Sequence, residues 1–461
     1  MSAIPVIAIF DVGKTNKKLF LFDENYKIVF EKSARFIETV DEDGFPCENI
    51  ESLRLSVFDS LSEVFRLKQF NIKAVNFSAY GASLVYVGED GNLVCPLYNY
   101  LKPYPEEISN EFYKKYGGEE QFSVETASPV LGSLNSGLQL YRLKKEKPEI
   151  FNKIKYALHL PQYMSYLLSG KAYSDITSIG CHTALWDFEK NDYHKWVQQE
   201  GLAPKFAPIE PADKVFQPLF PGNSYAIGIG LHDSSAALVP YLVNFSEPFI
   251  LISTGTWCIS LNPFNHQPLT ADELRNDCLC YLQYEGKPVK ASRVFSGFEH
   301  EQQVKRIAKH FDTDIIKYRN IAFDPEIAKN QKSLQVADVS STVSKESAFG
   351  ARNLANFKTD TEAYHQLIAD LVQLQVNSTN LVLKSTSAKR IFVDGGFGKN
   401  SVYMNLLAMA FPQMEVFAAS MAQSTALGAA IALHNQWNSR PLPANLIELN
   451  YYVSAAYIPT K

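Results

Sequence analysis

Three stretches of this chain carry residue types suited to gripping an oxyanion. Asp11-Val12-Gly13-Lys14-Thr15 offers a carboxylate, a glycine turn, an ammonium and a hydroxyl, and Ser253-Thr254-Gly255-Thr256 sets hydroxyl donors around a glycine. Asp394-Gly395-Gly396-Phe397-Gly398 ends an apolar strand and opens a helix. Glycine lets backbone N–H groups close on a phosphate, and a neighbouring carboxylate can meet the accompanying metal ion. Gly13-Lys14-Thr15 is not a P-loop: Ala8 stands where that motif needs its first glycine, and Lys18-Leu-Phe-Leu-Phe22 continues as strand instead of helix. A plain turn would also account for each stretch alone; a nucleotide held by three loops accounts for all of them.

Two further places could touch an acceptor molecule. Asp233 stands just before the Ala-rich run Ser234-Ser-Ala-Ala237, where it can cap a helix or take the proton of an attacking hydroxyl in phosphoryl transfer. Tyr80, in Ser78-Ala-Tyr-Gly-Ala82 after a strand, is either a core side chain or an aromatic face for a sugar. His182, His194 and His300 lack metal-ligand spacing and read as structural.

The elements that must hold these residues read as α/β material. An apolar strand, Pro5–Phe10, leads into the first loop and two β-like segments follow it, Lys18–Phe22 and Lys27–Glu31. The pattern recurs as Pro248–Ile252, the loop, and Trp257–Leu261. Helical patterns are predicted over Ile50–Leu67, Pro148–Phe151, Pro161–Leu168, Ser234–Leu242, Thr361–Lys384, Asn400–Ala410 and Ser424–Leu433. Strands are predicted over Ile72–Ser78, Tyr225–Ile229, Arg390–Val393 and Glu415–Phe417. A polar stretch at Asn244–Glu247 divides the 461 residues into halves of similar length, 1–244 and 245–461.

Composition excludes several classes. With 46% hydrophobic and 20% charged residues the chain is neither disordered nor fibrous. A net charge of −5 without long single-sign runs excludes a nucleic-acid-binding footprint. The six scattered cysteines form no disulfide or zinc pattern, and Ala3–Phe10 lacks the basic flank of a signal peptide. Reduced thiols and a cytoplasmic location without a membrane anchor are the expectation.

Taken in order, Asp11-Val-Gly-Lys-Thr, His232-Asp-Ser-Ser-Ala, Ser253-Thr-Gly-Thr-Trp, Asp394-Gly-Gly-Phe-Gly-Lys-Asn400 and Ala426-Leu-Gly-Ala-Ala430 resemble the FGGY carbohydrate kinases across nearly the whole chain. The resemblance implies two actin-like, ribonuclease-H-like α/β domains with a cleft between them, 1–244 holding mostly sugar and 245–461 mostly ATP and Mg²⁺. It makes Asp233 the catalytic base and Asp11 the residue near the metal. Tyr80, Gly81 and His232 join Asp233 around the sugar. Gly13, Lys14, Thr15, Asn16 and Lys18 become the first ATP-phosphate loop, Thr254, Gly255 and Thr256 the second, and Gly395, Gly396 and Asn400 the adenosine contacts.

Three departures bear on substrate. Lys14 replaces the family's usual Thr; Tyr80-Gly81 is similar to the rhamnulokinase and fuculokinase branch; Ser83 replaces that branch's Asp. The implied reaction is transfer of the ATP γ-phosphoryl group to a ketose hydroxyl at C1, the ketose being a 6-deoxyketohexose such as L-fuculose or L-rhamnulose. A ketopentose (ribulose or xylulose) and a non-catalytic actin-like sugar- and ATP-binding protein are the alternatives. Sugar and ATP are the implied partners, with no nucleic acid and no membrane, and a homodimer is the assembly allowed for.

Overall fold

The computed structural model describes residues 3–14, 17–34, 38–219, 224–329 and 347–453. Thr15 and Asn16, both assigned to the first phosphate loop, lie outside the described residues. The chain divides into two units. The first comprises 1–244 with 280–288 and 422–446, and the second comprises the remainder. The first break thus falls at Asn244/Phe245, while two later stretches return to the first unit.

In the first unit the strand Ile4–Val12 lies antiparallel to Lys17–Asp23 and parallel to Phe70–Ala79. The sheet runs in the order Val215–Phe216, Ala226–Gly228, Phe70–Ala79, Ile4–Val12, Lys17–Asp23, Ile28–Ala34, and Leu231–His232 pairs with the end of Phe70–Ala79. Its inner strands are buried on both faces, which is why Val6-Ile-Ala-Ile-Phe10 is a continuous apolar run without alternation. The helix Ile50–Arg66 starts at Asn49, whose side chain accepts from the Ser52 N–H. It buries Leu53, Val57, Leu61 and Val64 at helical spacing against that sheet, each contributing roughly 1.5–3 kcal/mol. A second cluster of the same unit is largely aromatic: Phe112, Tyr113, Phe122, Tyr141 and Trp196 meet edge to face.

The second unit repeats the opening topology. Phe249–Thr254 lies antiparallel to Cys258–Asn262 and parallel to Arg390–Gly395, in a sheet extended by Glu415–Ser420 and Glu448–Tyr452. The helix Asp360–Leu383 is buried nearly throughout, among Ile250, Ile252, Val393 and Leu407. The fold is therefore two α/β units of actin-like, ribonuclease-H-like type. All six cysteines are free thiols, and among the described residues no helix is long and apolar enough to cross a membrane.

The return of 422–446 to the first unit has a packing cause. The helix Ser424–Ala432 is rich in small residues and lies against the helix Asp233–Asn244. A Cβ at Gly428 would overlap the Ala236 carbonyl oxygen, so only glycine permits this approach. Asn76, fully buried in the strand Phe70–Ala79, ties the same elements together. Its Nδ2 donates to the Ala429 carbonyl at 2.8 Å, and its Oδ1 accepts the Gly230 N–H at 3.0 Å.

Candidate functional site

Parallel register brings the first group of candidate residues to one end of the first unit's sheet. Asp11 is level with Ser78, Ser78 with Leu231, and Ala79 with His232, so Asp11, Tyr80 and Asp233 all follow from the carboxyl ends of adjacent parallel strands. Open α/β sheets bind ligands at that end. The loop before Asp233 is fixed by buried side chains: Gln162 donates to the Gly230 carbonyl at 2.8 Å, Ser165 to the Gly228 carbonyl at 2.7 Å, and the His232 N–H to Thr177 Oγ1 at 3.0 Å.

Asp233 begins its helix, and its Oδ1 accepts the Ser234 N–H at 2.6 Å and the Ser234 hydroxyl at 3.2 Å. These bonds favour the anion, yet burial outweighs them and pushes the carboxyl up to about 6. The side chain still keeps 29% of its surface exposed. Anchoring and proton transfer are therefore compatible here: Ser234 holds one oxygen, and Oδ2 receives none of these bonds. His232 Nε2 lies 3.2 Å from Asp233 Oδ1 and hydrogen-bonds Cys181 Sγ at 3.3 Å. Burial depresses this imidazole to about 4, so it is neutral near pH 7 and forms no ion pair with Asp233. Gly81 sits against the ring: a Cβ there would fall 2.8 Å from His232 Cδ2 and 2.9 Å from Nε2. His182, read from sequence as structural, lies beside this group, its Nδ1 3.0 Å from Cys181 Sγ and its ring against Tyr281.

Asp11 is also pushed up to about 6, chiefly by burial and further by the charge of Asp233, against the Thr425 hydroxyl and Lys18, which pull it down. Its Oδ2 accepts from Thr425 Oγ1 at 2.7 Å. Two neighbouring carboxyls that both resist ionisation are what a divalent cation would relieve. No set of three metal-ligating side chains occurs among the described residues.

The lysines of the first loop are engaged elsewhere. Lys18 bonds Glu31 at 2.6 Å, opposite Asp11 across the strand pair. Lys14 Nζ lies 3.4 Å from Glu48 Oε1 and over the rings of Tyr80 and Tyr100. Tyr80 is buried, its ring 5.8 Å from that of Tyr100.

The second group gathers in the other unit around a cavity of about 790 Å³ lined by Thr254, Gly255, Gly396 and Asn400, large enough for a nucleotide-sized ligand. Thr254 is buried and its hydroxyl is spent within the loop: it donates to the Asp394 carbonyl at 2.6 Å and accepts the Phe397 N–H at 3.0 Å. It staples the two glycine loops together and leaves exposed Gly255 and Thr256 at the surface. Gly395 has φ +92°, and a Cβ there would overlap the Thr254 carbonyl, so this turn requires glycine. A Cβ at Gly396 would meet nothing within 4 Å. Asn400 caps the helix Ser401–Ala410 and donates to the Tyr364 hydroxyl at 2.7 Å.

The sequence reading missed part of this wall. His300, taken as structural, lies in the cavity lining with its Nε2 3.2 Å from the Tyr364 hydroxyl, and burial depresses it to about 4. Gly297, His300, Glu301, Val304 and Lys305 line the same cavity from one face of the helix Ser296–Phe311. Their three- and four-residue spacing was the available signal.

Known proteins with this pattern are carbohydrate kinases. The N-terminal domain model of the FGGY family of carbohydrate kinases matches residues 6–237, and the model for the C-terminal domain of carbohydrate kinase FGGY matches 246–441. A rhamnulokinase of Oceanobacillus iheyensis is 22% identical over 275 residues, 56% of each chain. A rhamnulokinase of Halalkalibacterium halodurans is 23% identical over 54% of each. The chain thus spans about half the length of the curated relatives it matches. Among solved structures, a carbohydrate kinase from Novosphingobium aromaticivorans superposes with TM-score 0.77 at 22% identity, covering 98% of this chain and 95% of that one. A ligand-bound xylulose kinase from Lactobacillus acidophilus gives 0.78 at 16% identity, covering 98% and 94%. With both family models matched in order over most of its length, this chain belongs to the FGGY family of carbohydrate kinases.

Proposed function

We propose that this protein transfers the γ-phosphoryl group of ATP to a hydroxyl of a ketose, the acceptor being a 6-deoxyketohexose phosphorylated at C1. The observation that carries the reading is Asp233: a carboxylate with one oxygen anchored to the start of its helix, the other free of those bonds, and a basicity raised to about 6. Such a group is anionic near pH 7 and still basic enough to take a hydroxyl proton in the transition state. The acceptor O–H proton passes to Asp233 as the oxygen bonds the γ-phosphorus. The bond from that phosphorus to the β,γ-bridging oxygen breaks, and ADP leaves with the electron pair. Asp233 then returns its proton to water through its exposed fraction.

His232 and Gly81 form the floor under the acceptor and Tyr80 one side of it. The cavity beside Gly396 and Asn400 takes the adenosine, and Gly255 and Thr256 at its edge approach the phosphates. Asp11 would hold Mg²⁺, which when bound spreads the negative charge of the phosphate groups. The sugar class rests on the Tyr80-Gly81 pair and on relatives named rhamnulokinase.

The test is ADP release from ATP and Mg²⁺ over a panel of 6-deoxyketohexoses, ketopentoses, aldoses and polyols, with Asp233→Asn alongside. Sugar-dependent release, greatest with a 6-deoxyketohexose and lost in the variant, is the expected result. Release with ketopentoses alone would replace the sugar class, and no sugar-dependent release at all would refute the kinase reading.

A further inference from the structure

Lys14 occupies the position at which the first loop departs from its family, and its side chain turns toward Tyr80 and Tyr100. Its Nζ is 5.7 Å from the centre of the Tyr80 ring and 5.6 Å from that of Tyr100. Both distances place the ammonium in the range where a cation is held by an aromatic face. Its hydrogen-bond partner among the described residues is Glu48 Oε1, at a long 3.4 Å, and Lys17 Nζ stands 3.4 Å from that same oxygen. Glu48 is buried and its position is set by pairing with Leu97, at the start of the segment that carries Tyr100. Tyr100 in turn feels both carboxylates: after burial, the charges of Asp233 and then Glu48 raise its phenol. Lys14, Tyr80 and Tyr100 therefore form one contact group, and the charge of Asp233 is felt at Tyr100. An ammonium has three N–H donors. With one long, shared bond to Glu48 and 27% of its side chain exposed, Lys14 keeps donor capacity for an oxygen-rich ligand resting on the tyrosines.

Resting on the kinase reading above, we infer that Lys14 is an acceptor-recognition residue, donating a hydrogen bond to a sugar hydroxyl held against Tyr80 and Tyr100, and that it does not serve the ATP phosphates. A ligand that combines a hydroxyl-bearing edge with an apolar C–H face, as a deoxysugar does, satisfies the ammonium and the rings together.

The experiment compares Lys14→Met and Lys14→Arg with the unmodified full-length protein. Methionine keeps an unbranched stem beside the rings and removes the charge; arginine restores it. Acceptor binding to the protein alone is followed by calorimetry across the sugar panel, ATP binding is followed separately, and KM for both substrates comes from ADP release. Lys14→Met should weaken acceptor binding and raise acceptor KM about tenfold, the loss of one charge-assisted hydrogen bond. The dissociation constant for ATP should stay within twofold, and Lys14→Arg should recover at least half of the acceptor affinity on a logarithmic scale. A rise in the ATP constant equal to or larger than that for the acceptor, or no change in either, overturns the assignment while leaving the kinase reading intact. Unmodified protein that neither binds nor phosphorylates any sugar of the panel overturns both.

Discussion

Replacing Asp233 by Asn tests the proposed chemistry and its cost to the fold in one variant. The substitution keeps an oxygen to accept the Ser234 N–H and removes only the charge and the basicity. A carboxyl held near 6 instead of 3.8 favours its protonated form in the folded chain. Its contribution to stability is therefore fully present below about pH 4 and is lost as the pH rises through 6. Well above 6 the loss amounts to about 3 kcal/mol, an upper bound for a side chain with 29% of its surface exposed. The neutral amide avoids that loss, and Asp11 is relieved as well because the charge of Asp233 is one cause of its raised value. Asp233→Asn should thus raise Tm at pH 7.5 by several degrees, with the difference vanishing toward pH 4. Turnover should fall by about 10²–10⁴, the usual contribution of a general base, equivalent to about 3–5 kcal/mol of barrier. On the proposed reaction, the unmodified protein should lose kcat/KM about tenfold per pH unit below 6. Thermal denaturation from pH 4 to 8 and a coupled ADP assay measure these effects. A variant retaining more than a tenth of normal turnover, or one whose Tm change is the same at every pH, would refute the reasoning.

Other substitutions probe the surrounding architecture. Asn76→Ala leaves the Ala429 carbonyl and the Gly230 N–H unpaired in the interior and should cost about 2–4 kcal/mol by chemical denaturation, with turnover falling in the protein that remains folded. Gly396→Leu places a side chain where the backbone is helical and space is open, so Tm should hold within about 2 °C while the KM for ATP rises at least tenfold; an unchanged KM would remove the cavity from nucleotide binding. Gly81→Ala presses a methyl against the His232 ring and should raise the KM for sugar without altering ATP binding, and equal effects on both substrates would detach Gly81 from the acceptor.

The residues that could be read in advance are those whose local pattern is tied to one backbone state. The run Val6–Phe10 can only be a buried strand, and the periodic apolar positions of Ile50–Arg66 only a one-sided helix. Gly395 marks a turn that any other residue would strain. The repetition of strand, loop and strand also announced itself, and both units show it. The aromatic cluster around Phe112 and Trp196 was less legible, because rings meeting edge to face from distant segments leave no period in the sequence.

What the chain's order of residues determined was thus the inventory: two α/β halves, three glycine-bearing loops and an acid before a small-residue helix. Tertiary structure decided the assignments, since a side chain's role depends on partners far away in sequence. Only folding could spend the Thr254 hydroxyl on Asp394, bring Thr425 to Asp11 and His300 to Tyr364, and carry Lys14 to Glu48 and the two tyrosines. Only burial, a property of the packed interior, could lift Asp11 and Asp233 to about 6 and keep His232 neutral.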